Sequence, residues 1–444
     1  PYTTLFRSAV LQLGVTMDYS IFLLESYRAN KKKYPDDKER AMAHAISNTF
    51  VSVCGSSLTT VAGFMALCVM TFALGRDLGL VMSKGVLIGV VVCVTVLPCL
   101  ILVFDKQIER FSHKELMPEF HKLSDFILKY RYIAVVLFII IAVPALYGNN
   151  HVSIYYNLDR GLPSDLPSSI ANKKLEEEFN MSVMHIVMLP SGLESDVKTK
   201  AIDDMKKVDG VKWVIGMNSV LGADVPESMV PKKYKEMLTS DNYELMFVCS
   251  NYKTATDEVN NQIAELTQIA KEVDESSMVI GEAPLTKDLM DTTNVDLKRV
   301  NYLSIAAIFI IILVTFKSIS LPIILVLIIE FAINVNMSFP YYSHTPLVFV
   351  ASIVIGSIQL GATVDYAILM TSRYLKERGL GKSKREAVSI AHKASIKSII
   401  TSGSCFFAST FGITLYSSID MIASICTLLA RGAVISVIVV ITML

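Results

Sequence analysis

The sequence predicts a polytopic α-helical membrane protein with a parallel internal repeat, plus one external α+β domain of ferredoxin-like order. Three observations carry this. Of 444 residues, 52% are hydrophobic and only 18% charged, with a mean hydropathy of +0.49, whereas soluble domains are about 25% charged. Several apolar runs exceed the ~18 residues that read as a bilayer span. Finally, Gln12-Leu13-Gly14-Val15-Thr16-Met17-Asp18-Tyr19 returns, 347 positions later, as Gln359-Leu360-Gly361-Ala362-Thr363-Val364-Asp365-Tyr366.

Taken in order, residues 9–104 hold three expected spans, at about 9–27, 45–72 and 78–104. The first is followed by Arg28, Lys31, Lys32, Lys33, Lys38 and Arg40. The second carries Gly55-Ser56-Ser57-Leu58-Thr59-Thr60 and Gly63, small residues that let helix backbones approach. The third closes near Leu97-Pro98. Residues 105–131 read as a cytoplasmic amphipathic linker, with Ile108, Phe111, Leu116, Phe120, Leu123 and Phe126 as its apolar component; an ordinary loop helix fits as well. A fourth span is expected at 132–148.

Residues 149–299 form the one large polar segment. Strand-like runs at 184–189, 211–215, 244–248 and 277–280 alternate with helical ones at 196–208 and 256–273. The order β-α-β-β-α-β is that of a ferredoxin-like unit. Residues 300–444 hold five further spans, at about 300–316, 319–337, 346–370, 395–416 and 421–444. Arg373, Lys376, Arg378, Lys382, Lys384 and Arg385 follow the seventh.

The zero net charge hides a split. Residues 149–299 hold 16 Lys/Arg against 25 Asp/Glu, and the remainder 25 against 16. Basic loops follow the first, third and seventh spans, all on one side when the spans are counted. Lys/Arg bias makes that side cytoplasmic and leaves 149–299 outside. Of the seven cysteines only Cys249 lies in the polar segment, so that domain does not rest on an internal disulfide. The seven histidines form no metal-binding pattern, and no nucleophile–base pair or phosphate loop appears, so neither metal, cofactor nor enzymatic activity is expected.

The duplicated Asp-Tyr carries the chemistry. A carboxylate near the middle of a span costs about 2.5–3.5 kcal/mol, and the chain accepts that cost twice. A desolvated carboxylate can take up and release a proton, and the adjoining tyrosine hydroxyl both donates and accepts. Asp18, Tyr19, Asp365 and Tyr366 are therefore the candidate proton relay; structural pairing or capping is the duller alternative. Gly14 and Gly361, four residues before each aspartate, share its face and leave room for a neighbouring helix. Lys84 and Arg431 are candidate counter-charges, unless they snorkel to the outer surface. Glu330 is a third intramembrane carboxylate, either charge partner or helix–helix contact. Glu25, seven residues beyond Asp18, reads as interfacial. The repeat extends to Tyr27 with Tyr374 and to Lys84-Gly85 with Arg431-Gly432, so three consecutive spans are duplicated in one direction, as in transporters whose coupling site lies between halves.

These features resemble the resistance–nodulation–division (RND) superfamily. The paired Gly-x-x-x-Asp-Tyr helices are most similar to those of the MMPL-type transporters. Asn157-Leu158-Asp159-Arg160-Gly161-Leu162-Pro163, continuing to Ser168, also looks like that family. The resemblance covers nearly the whole chain. It implies an RND-type helix bundle of twelve spans, of which this chain holds the fourth to almost the twelfth, with 149–299 as a porter-type external domain. It further implies export of lipids or other hydrophobic molecules across or out of the cytoplasmic membrane, driven by the proton-motive force. Cargo, protons and membrane lipids are the implied partners, a homo-oligomer is allowed, and no nucleic acid is expected. A proton-driven accessory protein of protein export and a non-transporting lipid sensor or scaffold are the competing readings. Repeat similarity is good from Gln12 onward and absent before Ser8, where Arg7 faces a clean apolar stretch. Residues 1–8 are therefore expected to be a non-native junction, unless Arg7 sits at the outer interface.

Overall fold

The computed structural model describes residues 2–111, 121–156, 165–221, 232–417 and 420–444. Its helices run α1 Tyr2–Lys31, α2 Lys38–Leu67, α3 Ala73–Arg110, α4 His121–Lys129, α5 Arg131–Asn150, α6 Pro167–Phe179, α7 Ser195–Lys206, α8 Met217–Leu221, α9 Lys232–Leu238, α10 Asp257–Val273, α11 Glu282–Phe316, α12 Ser320–Tyr342, α13 Phe349–Gly379, α14 Lys384–Tyr416 and α15 Asp420–Met443. One sheet is built from β1 Val183–Pro190, β2 Val211–Ile215, β3 Tyr243–Ser250 and β4 Met278–Gly281. The chain divides into two compact units, Pro1–Ile154 with Val295–Leu444, and Tyr155–Asn294.

In the first unit eight helices among the described residues are long and apolar enough to cross a membrane: α2, α3, α5, α11, α12, α13, α14 and α15. The sequence reading expected nine. Helix α1 is the difference: Gln12, Asp18 and Glu25 dilute its apolar run, yet it packs among the others, against α2, α3 and α14. Residues 2–8 continue α1 without a break. Two boundaries also differ. Residues 105–110, assigned to the linker, extend α3, because Asp105 is buried and held by Lys31 at 2.7 Å and Lys38 at 2.8 Å. Residues 282–299, assigned to the polar segment, open α11; most of their charged side chains are exposed, while Asp296 is buried and accepts from Thr71 N at 2.8 Å and Phe72 N at 3.1 Å, and Pro284 lies in the first turn, where its missing N–H is harmless. Of the linker, residues 112–120 lie outside the described residues. Helix α4 is tied to the bundle through His392, whose Nδ1 is 2.6 Å from Ser124 Oγ and whose Nε2 donates to Ile441 O at 2.9 Å.

The internal repeat is structural. Helices α1, α2 and α3 correspond to α13, α14 and α15, with α13 and α15 starting 347 positions after their mates and α14 starting 346 after. Contacts correspond too. Helix α1 packs on α2 and α3 as α13 packs on α14 and α15; across the halves, α1 meets α14 as α13 meets α2. Exchanging the halves maps contact onto contact, as a twofold relation requires. Local detail follows. A Cβ on Gly85 would come within 2.4 Å of the Gln12 side chain, and one on Gly432 within 2.8 Å of Gln359. Thr16 abuts Gly89, while the repeat-related Thr363 hydrogen-bonds Ser436 at 2.7 Å. Helix α13 is the hub. From Phe349 to Thr371 its described side chains are buried except at Ser352 and Gly356. A capping box, Ser383 with Glu386, starts α14, and Asp37 caps α2 by accepting from Arg40 N at 2.8 Å.

The second unit has chain order α6-β1-α7-β2-α8-α9-β3-α10-β4 and sheet order β2-β3-β1-β4, with every neighbouring pair antiparallel. Alternation on β1 turns Val183, His185, Val187 and Leu189 to the core. There Ile202 and Met205 of α7 and Leu266 and Ala270 of α10 meet Met246 and Val248 of β3. Two polar features are enclosed. Lys198 pairs with Glu244 at 2.6 Å, both almost fully buried. His185 Nε2 lies 3.1 Å from Gln262 Oε1. Burial holds the His185 imidazole below its usual 6.5, against the smaller opposing effect of Gln262. A base whose folded value is depressed binds fewer protons folded than unfolded, so stability falls as pH drops through about 6.5. The opening free energy of β1 amides, from hydrogen exchange corrected for intrinsic pH dependence, is expected to be smaller at about pH 5 than at about pH 7. No pH dependence over that range would contradict this.

Candidate functional site

The structure brings the two Asp-Tyr pairs together. Asp18, Tyr19, Asp365 and Tyr366 are each no more than 3% exposed, in the first unit where α1, α2, α13 and α14 meet. The pairs engage crosswise. Asp18 of the first repeat faces Tyr366 and Ser402 of the second. Asp365 of the second faces Tyr19, Ser56 and Thr60 of the first, and Asp18 lies within its electrostatic reach. Thr60 Oγ1 stands 3.4 and 3.5 Å from the Asp365 oxygens, 3.0 Å from Ser56 O and 3.4 Å from Gly361 O. Its single proton can satisfy only one of these at a time. Ser402 Oγ donates to Tyr366 Oη at 3.2 Å. Asp18 Oδ1 and Tyr19 Oη are buried without a hydrogen-bond partner among the described residues. Unmet groups of this kind are costly, and a proton moving within the cluster would change which are met.

The glycines make these approaches. A Cβ on Gly361 would sit 3.3 Å from Thr60 Cγ2, and one on Gly14 would sit 2.6 Å from Ser409 Oγ and 3.1 Å from Phe406. Each repeat's glycine thus admits a helix of the other repeat, α2 at Gly361 and α14 at Gly14.

The expected counter-charges stand elsewhere. Lys84 is exposed on α3 and makes no ion pair among the described residues. Its flexible stem carries the charge away from the bundle interior. Arg431 donates to Asn336 through Nε to Oδ1 and through Nη2 to the backbone O, both at 2.8 Å, and lies 4.9 Å over the Phe339 ring. Glu330 is apart from the pair, its Oε1 buried without a hydrogen-bond partner among the described residues. The aspartates are therefore surrounded by hydroxyls in place of cations. Sequence reading treated 55–60 as packing residues and passed over Ser56, Thr60 and Ser402; the signal was several hydroxyls on one face of an apolar span.

Among the described residues no cluster of His, Cys, Asp or Glu could hold a metal ion. Residues 157–164 of the family-like stretch lie outside the described residues. The model of the MMPL family matches residues 3–126 and 161–444. YdgH of Bacillus subtilis (strain 168) is 26% identical over 258 residues, covering 54% of this chain and 27% of its own length. MJ1562 of Methanocaldococcus jannaschii is 35% identical over 99 residues, or 22% of this chain and 25% of its own. ActII-3 of Streptomyces coelicolor is 30% identical over 97 residues, or 22% and 14%. Each carries the words membrane protein in its name. This chain spans at most 27% of the length of these relatives.

Proposed function

We propose that this chain, which belongs to the MMPL family and is built as a multi-pass membrane protein, is the coupling part of an RND-type transporter that uses proton movement to export lipids or other hydrophobic molecules. The observation that supports it best is the crosswise engagement of Asp18 with Tyr366 and Asp365 with Tyr19. Two carboxylates share one buried site, so gaining or losing one proton changes its charge by a unit where screening is weak. The partners sit on opposite repeats. Protonation therefore alters how firmly α1 is held by α13 and α14, and α13 by α2. That links proton occupancy to the relative position of the halves, which is what alternating access requires.

In this reading the basic loops after α1, α3 and α13 face the cytoplasm, and Tyr155–Asn294 is extracytoplasmic, where its ferredoxin-like sheet order suits a porter-type domain that handles cargo. The test uses the full-length protein in liposomes with a fluorescently labelled phospholipid as probe. An imposed pH gradient is expected to drive probe movement, and a protonophore to stop it. Probe movement that ignores the gradient would count against proton coupling, and binding of unfolded polypeptide in place of lipid would favour a role in protein export.

A further inference from the structure

Toward the basic loops, a cavity of about 590 Å³ lies between α1, α2, α13 and α14. Its lining includes the exposed Arg28, Lys32 and Lys33, so it reaches the surface. At its inner end are Phe22 and Leu369, four residues beyond Asp18 and Asp365 and related by the same shift of 347. Both are buried, in one apolar cluster with Tyr366. A single dry layer, one helical turn thick, thus separates the aspartates from the cavity.

One turn further out, on the same face as Asp18, is Glu25. Its carboxylate accepts a hydrogen bond from Ser398, which is one turn from Ser402 on α14, and it interacts electrostatically with Arg373. The repeats, identical at Asp-Tyr, diverge here: positions 25–26 are Glu-Ser and positions 372–373 are Ser-Arg. One half supplies the acid and the other the base. Around Glu25, α13 also brings Lys376 and Glu377, and α14 brings Lys393 and Lys397. Helix α2 brings only neutral Asn48, Thr49 and Ser52. The excess of cations marks this as the side expected to face the cytoplasm.

Resting on the relay reading, we propose that Glu25, positioned by Ser398 and Arg373, is the group through which the buried aspartate pair exchanges protons with cytoplasmic water. When the Phe22–Leu369 layer loosens, the O–H bond of the Asp18 carboxyl breaks, and a water or hydroxyl bridge passes the proton to the Glu25 carboxylate. Glu25 then releases it to water in the cavity, and Arg373 again faces a carboxylate. Transfer in the other direction retraces these steps.

The test is hydrogen–deuterium exchange of the buried carboxyl band, followed by infrared spectroscopy on the purified full-length protein. Asp18→Asn and Asp365→Asn identify the band. Glu25→Gln is expected to slow its exchange by about 100-fold, while Glu25→Asp, which still carries a proton, restores it. Phe22→Ala removes the dry layer without touching a charge and is expected to quicken exchange. Wild-type exchange in Glu25→Gln overturns the proposal alone, as does unchanged exchange in Phe22→Ala. A band that survives both aspartate substitutions overturns the relay reading and the proposal with it.

Discussion

Asp365→Asn in the full-length protein removes gradient-driven movement of a hydrophobic probe, by about 100-fold or more, while the bundle stays folded. Asparagine keeps the shape of the side chain and can accept from Thr60, whose Oγ1 is 3.4 Å from Asp365 Oδ1. It cannot carry the proton. Removing a buried charge is neutral or mildly stabilising when shape is kept, so unfolding temperature and yield should match the wild type. Asp18→Asn should have the same effect, because each aspartate engages the other repeat's tyrosine. The double variant should be no worse than either single one, as for residues that act as a unit. Initial rates of probe movement in liposomes, beside thermal unfolding curves, check all three. A single variant that moves the probe at the wild-type rate would remove that aspartate from the relay.

Lys198→Met destabilises the Tyr155–Asn294 unit by about 3–5 kcal/mol. Lys198 Nζ is 2.6 Å from Glu244 Oε2, and Glu244 Oε1 already lacks a hydrogen-bond partner among the described residues. Without the lysine, a carboxylate is left uncompensated against the sheet. Adding Glu244→Leu removes that charge and should recover most of the loss, since a buried ion pair replaced by apolar groups of similar volume is often neutral or better. Denaturant unfolding followed by the single tryptophan, Trp213 on β2, reports on this unit. A single variant as stable as the wild type would mean that the pair contributes nothing.

The sequence made some of this legible for physical reasons. A short apolar run marked β1 at 184–189, and the structure runs Val183–Pro190. The duplicated Gly-x-x-x-Asp-Tyr marked the cluster, because charge in an apolar run has no cheap explanation. Helix ends were less legible. Charge content does not mark the end of a helix, because charged side chains can be solvated or, like Asp105 and Asp296, buried with partners, so α3 continues to Arg110 and α11 begins at Glu282. Spacing places Asp18 and Tyr19 side by side on one helix but cannot say that each serves the other repeat. The same limit misled the search for counter-charges. Lys84 and Arg431 recur at the repeat shift, yet one lies on an exposed face and the other is held by Asn336. Ser56 and Thr60 looked like packing residues because small hydroxyl side chains also suit close helix contacts, and Ser402 carried no sequence signal of its own.

Proton movement itself decides whether the Asp–Tyr cluster couples. Full-length protein is reconstituted in liposomes holding a trapped pH-sensitive dye, and a potassium diffusion potential is imposed with the labelled phospholipid present. Coupling by this cluster predicts inward proton flux above that of protein-free liposomes, lost in both Asp18→Asn and Asp365→Asn and kept in Lys84→Gln. Undiminished flux in either aspartate variant would contradict it.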